Sequence, residues 1–189
     1  MTAVLAFALR FALAIVLAVA AVAKARRFDA FVRTVDAILP SRRTATTAAA
    51  AVVAVEAALA ILLATGAWVN AVCLAALALF LVFAAVSLWA TRRQLHVACN
   101  CFGQSERELG KDSLVTSLLL AGATVAYWAL ARKTDESLTL GELPLAVVLG
   151  AAVALAGRWL FAAGGLVRIV QQRRALERDL AEAIGDASR

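Results

Sequence analysis

Four long apolar stretches, 3–23, 44–90, 113–131 and 143–167, leave this chain little choice of solvent. A helix needs about twenty mostly apolar residues to cross the hydrocarbon of a bilayer, where only helices and closed barrels satisfy their own backbone hydrogen bonds. The stretch 44–90 is twice too long for one span. It divides at Thr65-Gly66-Ala67-Trp68-Val69-Asn70, where a glycine, an amide and an interfacial tryptophan mark a tight turn at a headgroup boundary. Five spans result, and the expected fold is an all-α integral membrane bundle. Of the 189 residues 63% are apolar, against roughly half in an average soluble domain. The first stretch reads as a retained span and not a cleaved signal, because its positive charges follow it and Arg10 interrupts it.

Lys and Arg concentrate in alternate connections. Lys24, Arg26, Arg27, Arg33, Arg42 and Arg43 follow the first span; Arg92, Arg93, Arg107 and Lys111 follow the third; Arg168, Arg173, Arg174, Arg178 and Arg189 follow the fifth. Arg132 and Lys133 are the cations expected on the opposite face. Cationic short loops stay cytoplasmic, so the N-terminus is expected outside the cell membrane and the C-terminus inside. The net charge of +6 is then a topology signal and not a sign of nucleic acid binding.

Within the first basic connection Phe28, Phe31, Val35 and Ile38 recur at helical spacing, which predicts an amphipathic helix lying along the inner membrane surface and ending at Leu39-Pro40. Beyond residue 131 an additional span over 132–170 and a cytoplasmic amphipathic tail over 171–189 are expected. In that tail Leu176, Leu180 and Ile184 form one stripe.

Two ionisable residues lie deep in the core spans: Arg10 in the first and Glu56 near the middle of the second. Charge at that depth costs at least a few kcal/mol and demands a partner, and antiparallel packing brings Arg10 and Glu56 to similar depth, so the two are expected to pair. The pair reads either as structural or as part of a substrate or proton path.

The remaining chemistry is sulfur. Cys99 and Cys101 are separated only by Asn100 and follow the third span; Cys73 is the third cysteine and reads as a small apolar packing residue. Two thiols this close suit thiol–disulfide exchange. A disulfide between them would close a small, strained and readily exchanged ring, and Arg92, Arg93 and Lys111 favour the thiolate. His96, three residues before Cys99, is either an electrostatic partner of the sulfur or a headgroup-level polar residue. Zinc is disfavoured, since His96, Cys99 and Cys101 lack a fourth ligand nearby. Unreactive thiols in a structural turn are the remaining reading.

Lys24 closing the first span, Phe28 or Phe31 soon after, Leu39-Pro40, Glu56, and Cys99-Asn100-Cys101-Phe102-Gly103 together resemble the MauE family of methylamine-utilisation membrane proteins, related to DoxX-like membrane proteins. The resemblance covers roughly residues 1–131 and implies a four-helix transmembrane core there, to which the fifth span over 132–170 is added. It implies a thioredoxin-like partner, Cys99 and Cys101 as the redox pair, Phe102 and Gly103 shaping its turn, and Glu56 as the intramembrane acid. The family's namesake serves maturation of the disulfide-rich small subunit of methylamine dehydrogenase. The expected function is a thiol–disulfide redox component of the membrane, with the bilayer and a thioredoxin-like protein as partners. No resident cofactor is expected, and a quinone or a partner would complete the electron path. The rival is a non-catalytic assembly subunit or small-solute carrier working through Glu56 and Arg10. The sequence does not fix the oligomeric state or decide whether the chain is an enzyme.

Overall fold

The computed structural model describes residues 2–39, 41–93, 111–133, 148 and 150–152. The chain divides into a first compact unit, Met1–Ala151, and a second, Ala152–Arg189. Five helices, all in the first unit, are complete among the described residues: α1 (Thr2–Arg26), α2 (Phe28–Asp36), α3 (Arg42–Thr65), α4 (Val69–Arg92) and α5 (Lys111–Ala131). Four of them, α1, α3, α4 and α5, are long and apolar enough to cross a membrane. The described residues contain no strand. The expected fifth span lies mostly outside them; its described part, Val148 and 150–152, is helical.

The stretch 44–90 breaks where the sequence says it should. Gly66 ends α3 at φ 73°, its N–H donating to the carbonyls of Leu62 and Leu63, and Trp68 starts α4 at φ 50°. Two left-handed residues within three reverse the chain, so α3 and α4 run antiparallel. Trp68 is 79% exposed, as an aromatic residue at the headgroup level should be.

The four spans pack as a ring in the order α1, α3, α4, α5, with α1 diagonal to α4. Close approach comes from small residues. Ala6, Ala12, Ala14, Ala20 and Ala21 of α1, Ala60 of α3, Ala76 of α4 and Ala121 of α5 are all buried, with Leu13, Leu17, Leu59, Leu63, Phe80 and Tyr127 filling the space between. In lipid, where no hydrophobic force drives helices together, such dispersion contacts do most of the work. Hydroxyls within the spans bond back to their own helix: Thr65 Oγ1 to the Ile61 carbonyl, Thr91 to Ser87, Thr116 to Asp112 and Thr124 to Leu120.

The short amphipathic helix exists, but its apolar face does not lie on lipid. Phe31 and Val32 of α2 are buried against Ala45 and Ala49 of α3, with Phe28, Val35, Val52 and Val53 closing the contact. The alanines on the first turns of α3 leave a groove wide enough for the α2 aromatic residues. Protein packing therefore replaces the membrane surface as the partner of this face.

Gly150 touches α1. A Cβ on it would sit 2.8 Å from Phe11 Cβ, 3.0 Å from the Ala8 carbonyl oxygen and 3.2 Å from the Ala12 nitrogen. Two of these are backbone atoms that cannot swing away. Gly122 of α5 has open space around it. Gly150→Ala is thus expected to destabilise the protein by about 1–3 kcal/mol through overpacking, while Gly122→Ala does no harm. Denaturation of the purified protein in micelles checks the contrast.

Candidate functional site

The buried stripe of α1 runs Leu13, Leu17, Ala20, and its next member at helical spacing is Lys24. On α3 the stripe through Leu63, Leu59 and Ala60 reaches Glu56. Because both stripes face the ring interior, the two charges meet there. Lys24 Nζ donates to both carboxylate oxygens of Glu56, at 2.6 and 2.8 Å, and each residue is only 1% exposed.

Aromatic rings complete the enclosure. Lys24 Nζ lies 5.5 Å from the ring centre of Phe31 on α2 and 5.4 Å from that of Phe83 on α4. These are cation–π distances, and the quadrupole of each ring adds to the carboxylate in stabilising the ammonium. A cavity of about 30 Å³, lined by Val16, Leu17, Ala20, Phe80, Phe83 and Leu120, borders the pair. It has room for a water molecule, far below the roughly 300 Å³ of a typical organic-ligand pocket. Phe80 and Leu120 lie near the middle of α4 and α5, so the pair sits well inside the spans.

The expected Arg10–Glu56 pair does not form. Arg10 lies fourteen residues before Lys24 on α1, about 21 Å along the axis at about 1.5 Å per residue. Its guanidinium stacks on Phe7 at 4.3 Å and Phe11 at 5.1 Å, both rings of its own helix, and the residue is 7% exposed. Equal depth of Arg10 and Glu56 would require α1 and α3 to begin and end level. In fact α1 ends level with the middle of α3, and α2 covers the first turns of α3 in its place, which brings Lys24 to Glu56. Counting Lys24 as a loop cation hid this. The sequence signal was its place on the Leu13–Leu17–Ala20 stripe.

His96, Cys99, Cys101, Phe102 and Gly103 lie outside the described residues. The chain carries them on the connection between α4 and α5, and both ends of that connection are described. Ser87 Oγ donates to Ser113 Oγ at 3.1 Å, holding the last turns of α4 against the first turn of α5. α4 closes with Arg92 and Arg93, both exposed, and Arg93 stacks on Trp89 at 5.9 Å. Cys73 is fully buried on α4, as its reading as a packing residue requires. Among the described residues no group of three His, Cys, Asp or Glu side chains is arranged to hold a metal.

A family model described as methylamine utilisation protein MauE matches residues 2–130. The chain belongs to the MauE family. The matched region takes in α1, α3, α4 and all of α5 but its last residue, with the Lys24–Glu56 pair and the Cys99–Cys101 motif. No curated protein matches the chain, and no solved structure matches it. In this MauE family member the described intramembrane site is therefore an ion pair at the axis of the ring, touched by α1, α2, α3 and α4 together.

Breaking one half of the pair leaves an uncompensated charge in lipid. Lys24→Met or Glu56→Leu alone is expected to cost about 3–5 kcal/mol, whereas Lys24→Met with Glu56→Leu recovers most of that loss. A double-mutant cycle on unfolding in mixed micelles measures the coupling.

Proposed function

We propose that this MauE family protein is a membrane component of thiol–disulfide exchange, with Cys99 and Cys101 as the exchanging pair and a thioredoxin-like protein as partner. One thiolate attacks a disulfide sulfur of the partner, expelling a partner thiolate and leaving a mixed disulfide. The second thiolate then attacks the sulfur of this chain, releasing the reduced partner and closing the Cys99–Cys101 disulfide. In the opposite direction the same pair oxidises a partner dithiol, and a quinone taking two electrons and two protons restores the disulfide. The family's description names methylamine utilisation, and within it this reading assigns the chain to maturation of disulfide-containing proteins. The wider kinship is with DoxX-like membrane proteins.

The observation that carries this reading is the motif Cys99-Asn100-Cys101-Phe102-Gly103 inside the matched region, on a connection whose two ends are held together at the Ser87–Ser113 contact. The exposed Arg92 and Arg93 precede it closely and favour the thiolate form. The family resemblance gives Phe102 and Gly103 the role of shaping the turn, and His96 is a polar residue three positions before Cys99. The basic connections set this end on the cytoplasmic side and the N-terminus outside.

A second reading rests on the Lys24–Glu56 pair at the ring axis, which suits a proton or solute path as well as it suits a structural tie. The double substitution separates them. A path fails in Lys24→Met/Glu56→Leu even where the fold survives.

Cys99→Ser and Cys101→Ser singly are expected to trap a mixed disulfide with a second protein, seen as a reducible band on non-reducing gels of intact cells. Loss of partner trapping in both variants, with function kept in the double variant, counts against exchange. Labelling of Cys99 with an impermeant maleimide from the cytoplasmic side, and not from outside, is the matching expectation for topology.

A further inference from the structure

At the end of the ring away from the cysteine connection, α4 begins and α5 finishes side by side. Trp128 Nε1 donates to Asn70 Oδ1 at 2.7 Å, and the guanidinium carbon of Arg132 lies over the Trp128 ring, 4.2 Å from its centre. The hydrogen bond fixes the Asn70 amide: an indole N–H can only donate, so Oδ1 faces Trp128 and the NH₂ faces away. An open cavity of about 170 Å³ is lined by Val69, Asn70, Ala131 and Arg132. The polar side chains on its wall are thus an amide NH₂ and a guanidinium. Among the described residues no carboxylate lies within ion-pair reach of Arg132.

We infer that this cavity binds a phosphate-type oxyanion at the bilayer boundary. Three features point there. The available side-chain groups are donors, which suits an anion and not a cation. Arg132 is held in place by its stack on Trp128, so its planar fork is oriented before a ligand arrives, and that fork matches two oxygens of a phosphate. The neighbouring Trp68 is largely exposed and marks the headgroup level, where phosphodiesters are the abundant oxyanions. Ala131 and Arg132 lie just beyond the matched residues 2–130, whereas Val69, Asn70 and Trp128 lie within them. The inference is independent of the cysteine chemistry.

The test uses the full chain purified in a neutral detergent, with native mass spectrometry counting bound molecules during titration with phosphatidylglycerol and, separately, inorganic phosphate. The decisive variant is Asn70→Asp. It keeps an acceptor for Trp128, and with it the helix contact, but turns the amide donor into a carboxylate that repels an oxyanion. Arg132→Gln removes the fork at an exposed position. Arg43→Gln, an exposed cation at the other end of the ring, controls for general charge. Binding of one phosphatidylglycerol is expected in the wild type and in Arg43→Gln, weakened about tenfold or more in Asn70→Asp and Arg132→Gln, the loss of a charge-assisted pair. The same pattern with inorganic phosphate alone keeps the oxyanion site and assigns it to free phosphate. Equal binding by wild type, Asn70→Asp and Arg132→Gln overturns the inference, and so does an equal loss in Arg43→Gln.

Discussion

The ion pair between Lys24 and Glu56 is the contact on which the arrangement of the helices depends. A charge inside a bilayer cannot be left alone, and both residues are closed off from solvent, each 1% exposed. Each therefore fixes the other. With both oxygens of Glu56 on one ammonium and aromatic rings from α2 and α4 beside it, the relative depth of α1 and α3 has little freedom. The position of α2 follows from that depth. Because α1 ends level with the middle of α3, a short helix is left to cover the alanine face of the first turns of α3, and Phe31 is set by one packing event both into that groove and beside Lys24.

Dispersion does the rest. A ring of alanine-rich helices has no hydrophobic driving force in lipid and gains only from close approach. Such packing is tolerant of sliding, since one alanine resembles the next. A bidentate ion pair is not tolerant, because a shift of one turn, about 5.4 Å, would separate the charges entirely. The alanines allow the helices to meet, and Lys24 with Glu56 decides where.

The two ends of the ring differ in chemistry. At one, α4 closes in arginines and is tied to α5 through Ser87 and Ser113, next to the connection that carries the cysteine pair. At the other, a tryptophan, an amide and a stacked guanidinium present donors to the membrane boundary. Between them, among the described residues, the interior offers a water-sized space beside the ion pair. The connection that carries the thiols and the surface proposed for oxyanions leave opposite ends of α4 and α5, and each can be altered without touching the other.

Much of this was legible in the sequence. The length of the apolar runs requires membrane-spanning helices, the Gly66–Trp68 break divides the long run, and the period of Phe28, Phe31 and Val35 marks a short helix, because each depends only on local conformation and solvent. The partner of Glu56 was not legible. Arg10 and Lys24 are both cations on α1, and the choice between them rests on how deep α1 ends, which depends on α2 packing against α3 and on nothing local to either residue. Placement of Arg132 over Trp128 beside Asn70 was hidden for the same reason: fifty-eight positions separate Asn70 from Trp128, and only the packing of two antiparallel helices brings them together. Sequence alone determined which segments leave water, since that follows from the transfer energy of each segment by itself. Tertiary structure decided which charge meets which, since that follows from the relative depth of helices that no single segment encodes.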